Sequence, residues 1–401
     1  MSLDMAHGSF GLMAGLDDQP LDPMLSLLAL LRNDPRTEKI DLGIGVYRDA
    51  QGRTPVMRAV KAAEQTLVDG QASKSYVAAE GDARFVSLLA PVVFGPLAAD
   101  DCLSGLQTPG GTGALRLAAA LIHRLNPGAR VWLGTPTWPN HATLMQAAGL
   151  QVVEHPFFDT TTQTIAFDVM MSALEAMRAG DVLLLHGCCH NPTGAELSAE
   201  QWQAVGDLIL RKDVVPLIDL AYQGLGHGLD EDAAQARALV ARVPEAIIAV
   251  SCSKNFGLYR DRIGALWVKG PTPQAARRAC DLVTLSARTL WSMPPDHGAA
   301  VVGAILSSDA LAEDWRAELA DMRGRITAMR RALSAAVPSL PKIADQTGMF
   351  ALLPLTRDAV LRLRADHGIY MVESGRINIA GVHDGNLDAF ANAISPYLSQ
   401  E

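Results

Sequence analysis

Apolar and polar residues alternate along this chain on two length scales. Short β-branched or apolar runs recur through its middle: Val131-Trp132-Leu133, Val152-Val153, Val182 to Leu185, Val214 to Leu220, Ile247 to Val250 and Ala265 to Val268. Between them lie segments of helical period near Leu115 to Arg124, His141 to Ala148, Ala199 to Arg211 and Ala233 to Arg242. Continuous apolar strands separated by helices predict an α/β fold with a mainly parallel central sheet, flanked by helices on both faces. This large unit is placed at about residues 55–310. The pattern outside it differs: a helix over Pro23 to Arg32, an extended Ile40 to Tyr47, a long helix over Ala310 to Val337, strands at Gly348 to Leu353 and Tyr370 to Val372, and a closing helix over Asn386 to Leu398. Helices and strands without the βαβ rhythm predict a smaller α+β domain built from both chain ends, residues 1–54 and 311–401, with Met1 to Phe10 a loose arm.

Composition narrows the class. With 401 residues, 49% of them hydrophobic and 19% charged, the chain is long enough for one major domain and a smaller one. A net charge of -9 with scattered Lys and Arg argues against nucleic-acid binding. No run approaches the roughly 20 apolar residues of a membrane span, so a cytoplasmic location is expected. Five cysteines, an odd number without a spaced framework, read as reduced thiols. His186-Gly187-Cys188-Cys189-His190 holds four potential metal ligands, but adjacent cysteines at a strand end are expected to point to opposite faces, and no second ligand pair has zinc-type spacing. No metal is expected.

In an open parallel sheet ligands bind beyond the carboxyl ends of the strands, so candidate chemistry is sought there. Lys254 follows the apolar run Ala246 to Val250 in Ser251-Cys252-Ser253-Lys254-Asn255. A lysine delivered by a buried strand into a small, hydroxyl-rich turn is poorly solvated, and its amine shifts toward the neutral nucleophile. The alternative is a lysine that caps the strand and reaches water. Thr108-Pro109-Gly110-Gly111-Thr112-Gly113 precedes a helix and offers backbone N–H groups, close-approach glycines and the Thr112 hydroxyl, a phosphate cradle or else a plain helix-entry turn. Asp219 ends another apolar strand, where a carboxylate is costly unless paired or capping a helix; the functional reading is a counter-ion for a cationic ring nitrogen, with Tyr222 donating to the same ligand. Asn191 in His190-Asn191-Pro192-Thr193-Gly194 offers an amide donor at a turn. Trp138 could stack on a ring, although tryptophan is more often core. Arg262, with Ser251 and Ser253, could add bonds to a phosphate. A phosphorylated aromatic aldehyde satisfies this set, and pyridoxal 5'-phosphate is such a compound.

The chain resembles the class I, fold-type I aminotransferases of the aspartate and aromatic amino acid group. The resemblance rests on Leu42 to Tyr47, Thr108 to Ala114, Trp138 to His141, His186 to Gly194, Asp219 to Gly224, Ser251 to Asn255 and Ser374-Gly375-Arg376, and spans about Pro23 to Leu398. It implies a homodimer with shared active sites and Lys254 as Schiff-base lysine and proton shuttle. It further implies Asp219 on the pyridine nitrogen, His141 orienting Asp219, Tyr222 and Asn191 on the phenolic oxygen, and Tyr76 reaching the neighbouring subunit's phosphate. Arg376 is implied to take the substrate α-carboxylate and Arg288 a distal carboxylate across the interface, with Gly45, Trp138 and Asn191 bordering the substrate. Leu290 and Trp291 replace the more polar asparagine and tyrosine usual in aspartate-type members. The expectation is therefore an aminotransferase acting on tyrosine, phenylalanine and tryptophan as well as aspartate and glutamate, with 2-oxoglutarate as an acceptor. A narrow aspartate aminotransferase is the alternative; a lyase or a non-catalytic regulator on the same fold is further off.

Overall fold

A computed structural model describes Met13 and residues 23–398; the expected loose arm Met1 to Phe10 lies outside the described residues. Its strands are β1 (Ile40–Asp41), β2 (Leu103–Pro109), β3 (Arg130–Thr135), β4 (Gln151–Pro156), β5 (Phe158–Asp159), β6 (Thr164–Ile165), β7 (Val182–His186), β8 (Val215–Leu220), β9 (Ala246–Ser251), β10 (Ile263–Lys269), β11 (Phe350–Leu352), β12 (Ile369–Tyr370) and β13 (Arg376–Asn378). Seven of these form one sheet in the order β2-β10-β9-β8-β7-β3-β4. Pairings from β4 through β9 are parallel, while β10 runs antiparallel to both β9 and β2. The mainly parallel α/β sheet expected from the apolar runs is present.

Alternation within those runs explains why they are continuous. Val131, Leu133, Val182, Leu184, Leu217, Ile247 and Ala249 face one core, packed by the helix Gly110–Leu125 and the helix Pro273–Leu290. Trp132, Leu183, Leu185, Ile218, Leu220, Ile248 and Val250 face the other. Both faces are covered, so neither set of positions can be polar. From β3 the chain crosses to β4 on one side and later to β7 on the other, which places a topological switch point at their carboxyl ends.

Both chain ends meet: β1 pairs in parallel with β12, and β11 pairs antiparallel with β13. Three expectations need correction. The extended reading of Ile40 to Tyr47 shrinks to β1, because the Asp41 carboxylate accepts the Gly43 N–H at 3.0 Å and turns the chain. Arg376, expected just after a strand-like segment of the small domain, is itself the first residue of β13. The adjacent cysteines do not diverge. Strand β7 ends at His186 and Cys189 adopts φ +49°, so the Cys188 and Cys189 sulfurs and an Asp232 oxygen lie within 4.8 Å of one another. That carboxylate is committed to the N–H groups of Gly224, Gly226, His227 and Gly228, which ties down the loop before its helix.

Candidate active site

Four strand ends converge on one cleft. Beyond β3 lies Trp138, β7 ends at His186 with Asn191 beyond it, β8 carries Asp219 with Tyr222 just after it, and β9 ends at Ser251 before Ser253 and Lys254. Gly111 and Thr112 from the first turn of the Gly110–Leu125 helix, Arg262, Gly45, Phe350 and Arg376 complete the lining.

The Lys254 amine lies 4.7 Å over the Tyr222 ring. Burial lowers its pKa to about 8, with the Asp219 carboxylate pulling the other way and Arg262 adding to the fall. Its turn is held from behind: Trp315 Nε1 donates to the Asn255 carbonyl at 2.8 Å, and Phe256 stacks on Trp315 at 4.3 Å. A depressed lysine pKa means that the protonated amine disfavours folding. The penalty is full below pH 8 and fades as pH rises toward the unfolded value of 10.5. Cofactor-free Lys254→Met should therefore be more stable than the cofactor-free parent at pH 7, by up to about 3 kcal/mol. Urea unfolding at pH 7 and pH 10.5 checks this; a gap that does not shrink at the higher pH contradicts it.

Asp219 stands beside His186 across the β7–β8 ladder. Its Oδ2 is 3.0 Å from His141 Nε2, and because a carboxylate only accepts, that nitrogen carries the hydrogen; Nδ1 then accepts from the Thr137 hydroxyl at 2.8 Å. Burial acts to raise the Asp219 pKa, yet the His141 bond and the positive field of its neighbours, Lys254 included, outweigh burial and hold it below the ordinary value. Asp219 stays ionised. Its other oxygen, Oδ1, is buried without a hydrogen-bond partner, and such an acceptor suits a ring N–H. Asn191 Nδ2 donates to the Tyr222 hydroxyl at 3.2 Å, and burial pushes the phenol pKa up, so Tyr222 remains a donor.

The phosphate end is also built. The helix beginning at Gly110 turns its free N–H groups and dipole toward the cleft. Gly110 has φ +70°, and a Cβ there would lie 2.6 Å from Arg262 Nη2. Arg262 Nη1 reaches the Ser253 hydroxyl at 3.4 Å, and Ser253 N–H donates to Ser251 Oγ at 3.2 Å. Lysine, unpaired carboxylate oxygen, phenol, amide and anion cradle fit pyridoxal phosphate.

Arg376 is buried, and burial lowers its pKa. It donates to the Gly43 carbonyl at 3.0 Å, and its guanidinium lies 4.7 Å over the Phe350 ring. A Cβ on Gly45 would come within 2.9 Å of Phe350 Cζ, so the glycine admits that ring. Of the expected residues, Gly110 and His141 stand behind the lining, beside Arg262 and Asp219, and two more are absent from this cleft. Tyr76 is 94% exposed, and Arg288 is exposed near the end of the Pro273–Leu290 helix. Neither lines the cleft. His186 and Phe350 were missed as cleft residues. Strand register beside Asp219 marks His186, whereas nothing in the local pattern marks Phe350.

Fold and cleft together define a pyridoxal-phosphate-dependent aminotransferase of fold type I. The chain belongs to the class I and II aminotransferase family, whose model matches residues 37–394. It is 52% identical over 365 residues to a tyrosine aminotransferase of Rhizobium meliloti (strain 1021), covering 90% of this chain and 94% of that one. It is 44% identical to an aspartate aminotransferase of Escherichia coli (strain K12) over 388 residues, 94% of this chain and 98% of the other. A solved aromatic-amino-acid aminotransferase from Burkholderia pseudomallei, covalently bound to pyridoxal phosphate, superposes with a TM-score of 0.94 at 37% identity, covering 97% of this chain and 100% of that one.

Proposed function

We propose that this aminotransferase moves the amino group of tyrosine, phenylalanine or tryptophan, and also of aspartate or glutamate, to a 2-oxo acid such as 2-oxoglutarate. The observation carrying the reading is the convergence of Lys254, Asp219 and Arg376 on one cleft. Bound pyridoxal phosphate supplies an electron-withdrawing ring and a carbon that holds the amino group between donor and acceptor. Arg376 binds the substrate α-carboxylate through its planar fork, a bidentate geometry that lysine lacks. Lys254 Nζ takes the proton from the substrate α-carbon and, as the ammonium, would deliver it to the cofactor carbon that holds the amino group. Asp219, oriented by His141, keeps a proton on the ring nitrogen. Tyr222 and Asn191 hold the phenolic oxygen, and Arg262, Ser251, Ser253 and the Gly110–Thr112 turn hold the phosphate.

The active protein is a homodimer in this reading, with Tyr76 on the phosphate of the neighbouring site and Arg288 near the far end of that site's substrate. Their exposure and absence from their own cleft support that role. The pairing of β1 with β12 supports a small domain made from both chain ends, 1–54 and 311–401, beside a large one at 55–310. Among the described residues no helix is long and apolar enough to cross a membrane, and a cytoplasmic location is part of the proposal.

Dual specificity follows from what surrounds Arg288. A charged hydrogen bond contributes about 1.5–3 kcal/mol, and burying a phenyl side chain contributes about the same. Arg288 beside apolar Leu290 and Trp291 serves a carboxylate by pairing and a ring by swinging outward. Comparison of kcat/KM for aspartate, phenylalanine and tyrosine with 2-oxoglutarate tests this. Phenylalanine trailing aspartate by more than ~10⁴ contradicts it, because that exceeds the loss of one charged contact. Arg288→Leu should lower kcat/KM for aspartate by ~10–100-fold while changing phenylalanine far less; equal losses would remove Arg288 from the substrate's far end.

A further inference from the structure

Arg330 lies in the C-terminal part of the long helix Asp309–Ala336 and is 1% exposed. Burial lowers its pKa to about 10, so it stays charged at neutral pH. Among the described residues no carboxylate pairs with it. Its guanidinium is spent on carbonyls instead: Nε donates to Gly348 at 3.1 Å, Nη1 to Ile343 at 3.4 Å, and Nη2 to Thr347 at 2.7 Å, to Gly348 at 2.8 Å and to Phe350. The Glu196 carboxylate acts on it only through space, and a buried cation without an ion-pair partner is costly unless fully hydrogen-bonded. Here the bonds all go to the segment that leads into β11.

That segment is clasped to the turn bearing Asn191. The Thr347 N–H donates to the Gly194 carbonyl at 2.8 Å. Gly194 has φ +71°, and a Cβ there would lie 2.6 Å from the Phe350 carbonyl oxygen and 2.7 Å from Arg330 Nη2. The same segment governs the carboxylate site twice. Leu352 pairs with Arg376 across the β11–β13 ladder, and the Phe350 ring lies under the Arg376 guanidinium and edge-on to Tyr222 at 5.9 Å.

We propose that Arg330 is a positioning residue for substrate-carboxylate binding, locking residues 347–350 against the Asn191–Gly194 turn so that Phe350 and Arg376 stand in register with Tyr222. The proposal rests on the reading of Arg376 as the carboxylate ligand. Because every substrate shares the α-carboxylate, loss of the clasp weakens aromatic and dicarboxylic donors alike, unlike loss of Arg288.

The test uses the holoenzyme and measures KM and kcat for phenylalanine and aspartate, with the Kd of 3-phenylpropionate, a carboxylate without an amine to transfer. Arg330→Met should raise both KM values and the Kd about ten-fold or more, with kcat changed much less, since misplacing a binding group by a fraction of an ångström has effects of this order. Arg330→Lys keeps a charge and three donors and should recover part of the loss. Gly194→Ala, which drives a methyl into the same clasp, should raise KM for both donors in the same way. A purely structural role would lower the melting temperature and leave KM and Kd of the folded enzyme within two-fold, which overturns the proposal. If Arg330→Met does not fold, Arg330→Lys and Gly194→Ala decide it by the same criterion. Arg376→Lys separates the two readings: if it too leaves the Kd unchanged, the carboxylate assignment has failed, whereas a large effect there with none at Arg330 or Gly194 rejects the clasp alone.

Discussion

Lys254→Ala should reduce kcat for transamination by at least ~10⁴-fold, since a positioned general base alone contributes ~10²–10⁴ and the same amine is the covalent attachment point. Among the described residues no other amine lines the cleft to take over. Arg262 and Arg376 are the remaining cations there, and a guanidinium neither deprotonates nor attacks at neutral pH. Cofactor should still bind, because the phosphate turn, Asp219 and Tyr222 are untouched. A half-reaction from the pyridoxal form, followed by absorbance after mixing with aspartate, isolates the step. Undiminished proton transfer in that variant would remove Lys254 from the mechanism.

Asp219→Asn should be the second most damaging change. A unit charge pair near 4 Å at an effective dielectric of 20 is worth ~4 kcal/mol, which corresponds to a loss of ~10³ in kcat. The amide keeps the shape, so the loss reports charge rather than packing. His141 supports this interpretation. It donates to Oδ2 from a buried position and leaves Oδ1 as the acceptor facing the ligand. Asp219→Glu should fall between the two, with charge retained and geometry disturbed. A loss under ten-fold for Asp219→Asn would show that the ring nitrogen does not depend on this carboxylate.

The sheet was legible wherever both faces of a strand are buried. Val182 to His186, Val215 to Leu220 and Ala246 to Ser251 read as continuous apolar runs because one half of each faces one core and the other half the second. Edge strand β2, Leu103–Pro109, escaped notice: its first three residues are only half-buried, and Ser104 and Gly105 interrupt the pattern. The long helix Asp309–Ala336 was legible from its apolar period, but the meaning of Arg330 within it was not. In sequence it is one of two adjacent arginines on a charged helix, and only the fold buries it under Gly348 and Phe350.

Residues that carry chemistry through their own type and immediate neighbours were readable without coordinates. Lys254, Asn191 and the Gly110–Thr112 turn each sit just past a strand and Asp219 sits near the end of β8, and a parallel sheet brings strand ends to one side. Phe350 and His186 meet partners more than 20 residues away in the chain and Arg330 meets partners 13–20 residues away, so no local period marks them. Strand register set His186 beside Asp219, and the meeting of the two chain ends set β13 and Arg376 over the cleft. Residue type and strand-end position are local properties, so Lys254 and Asp219 could be read from the sequence. How Arg376 and Phe350 are held depends on long-range hydrogen bonds to backbone carbonyls, which any residue can supply, and so it emerges only on folding.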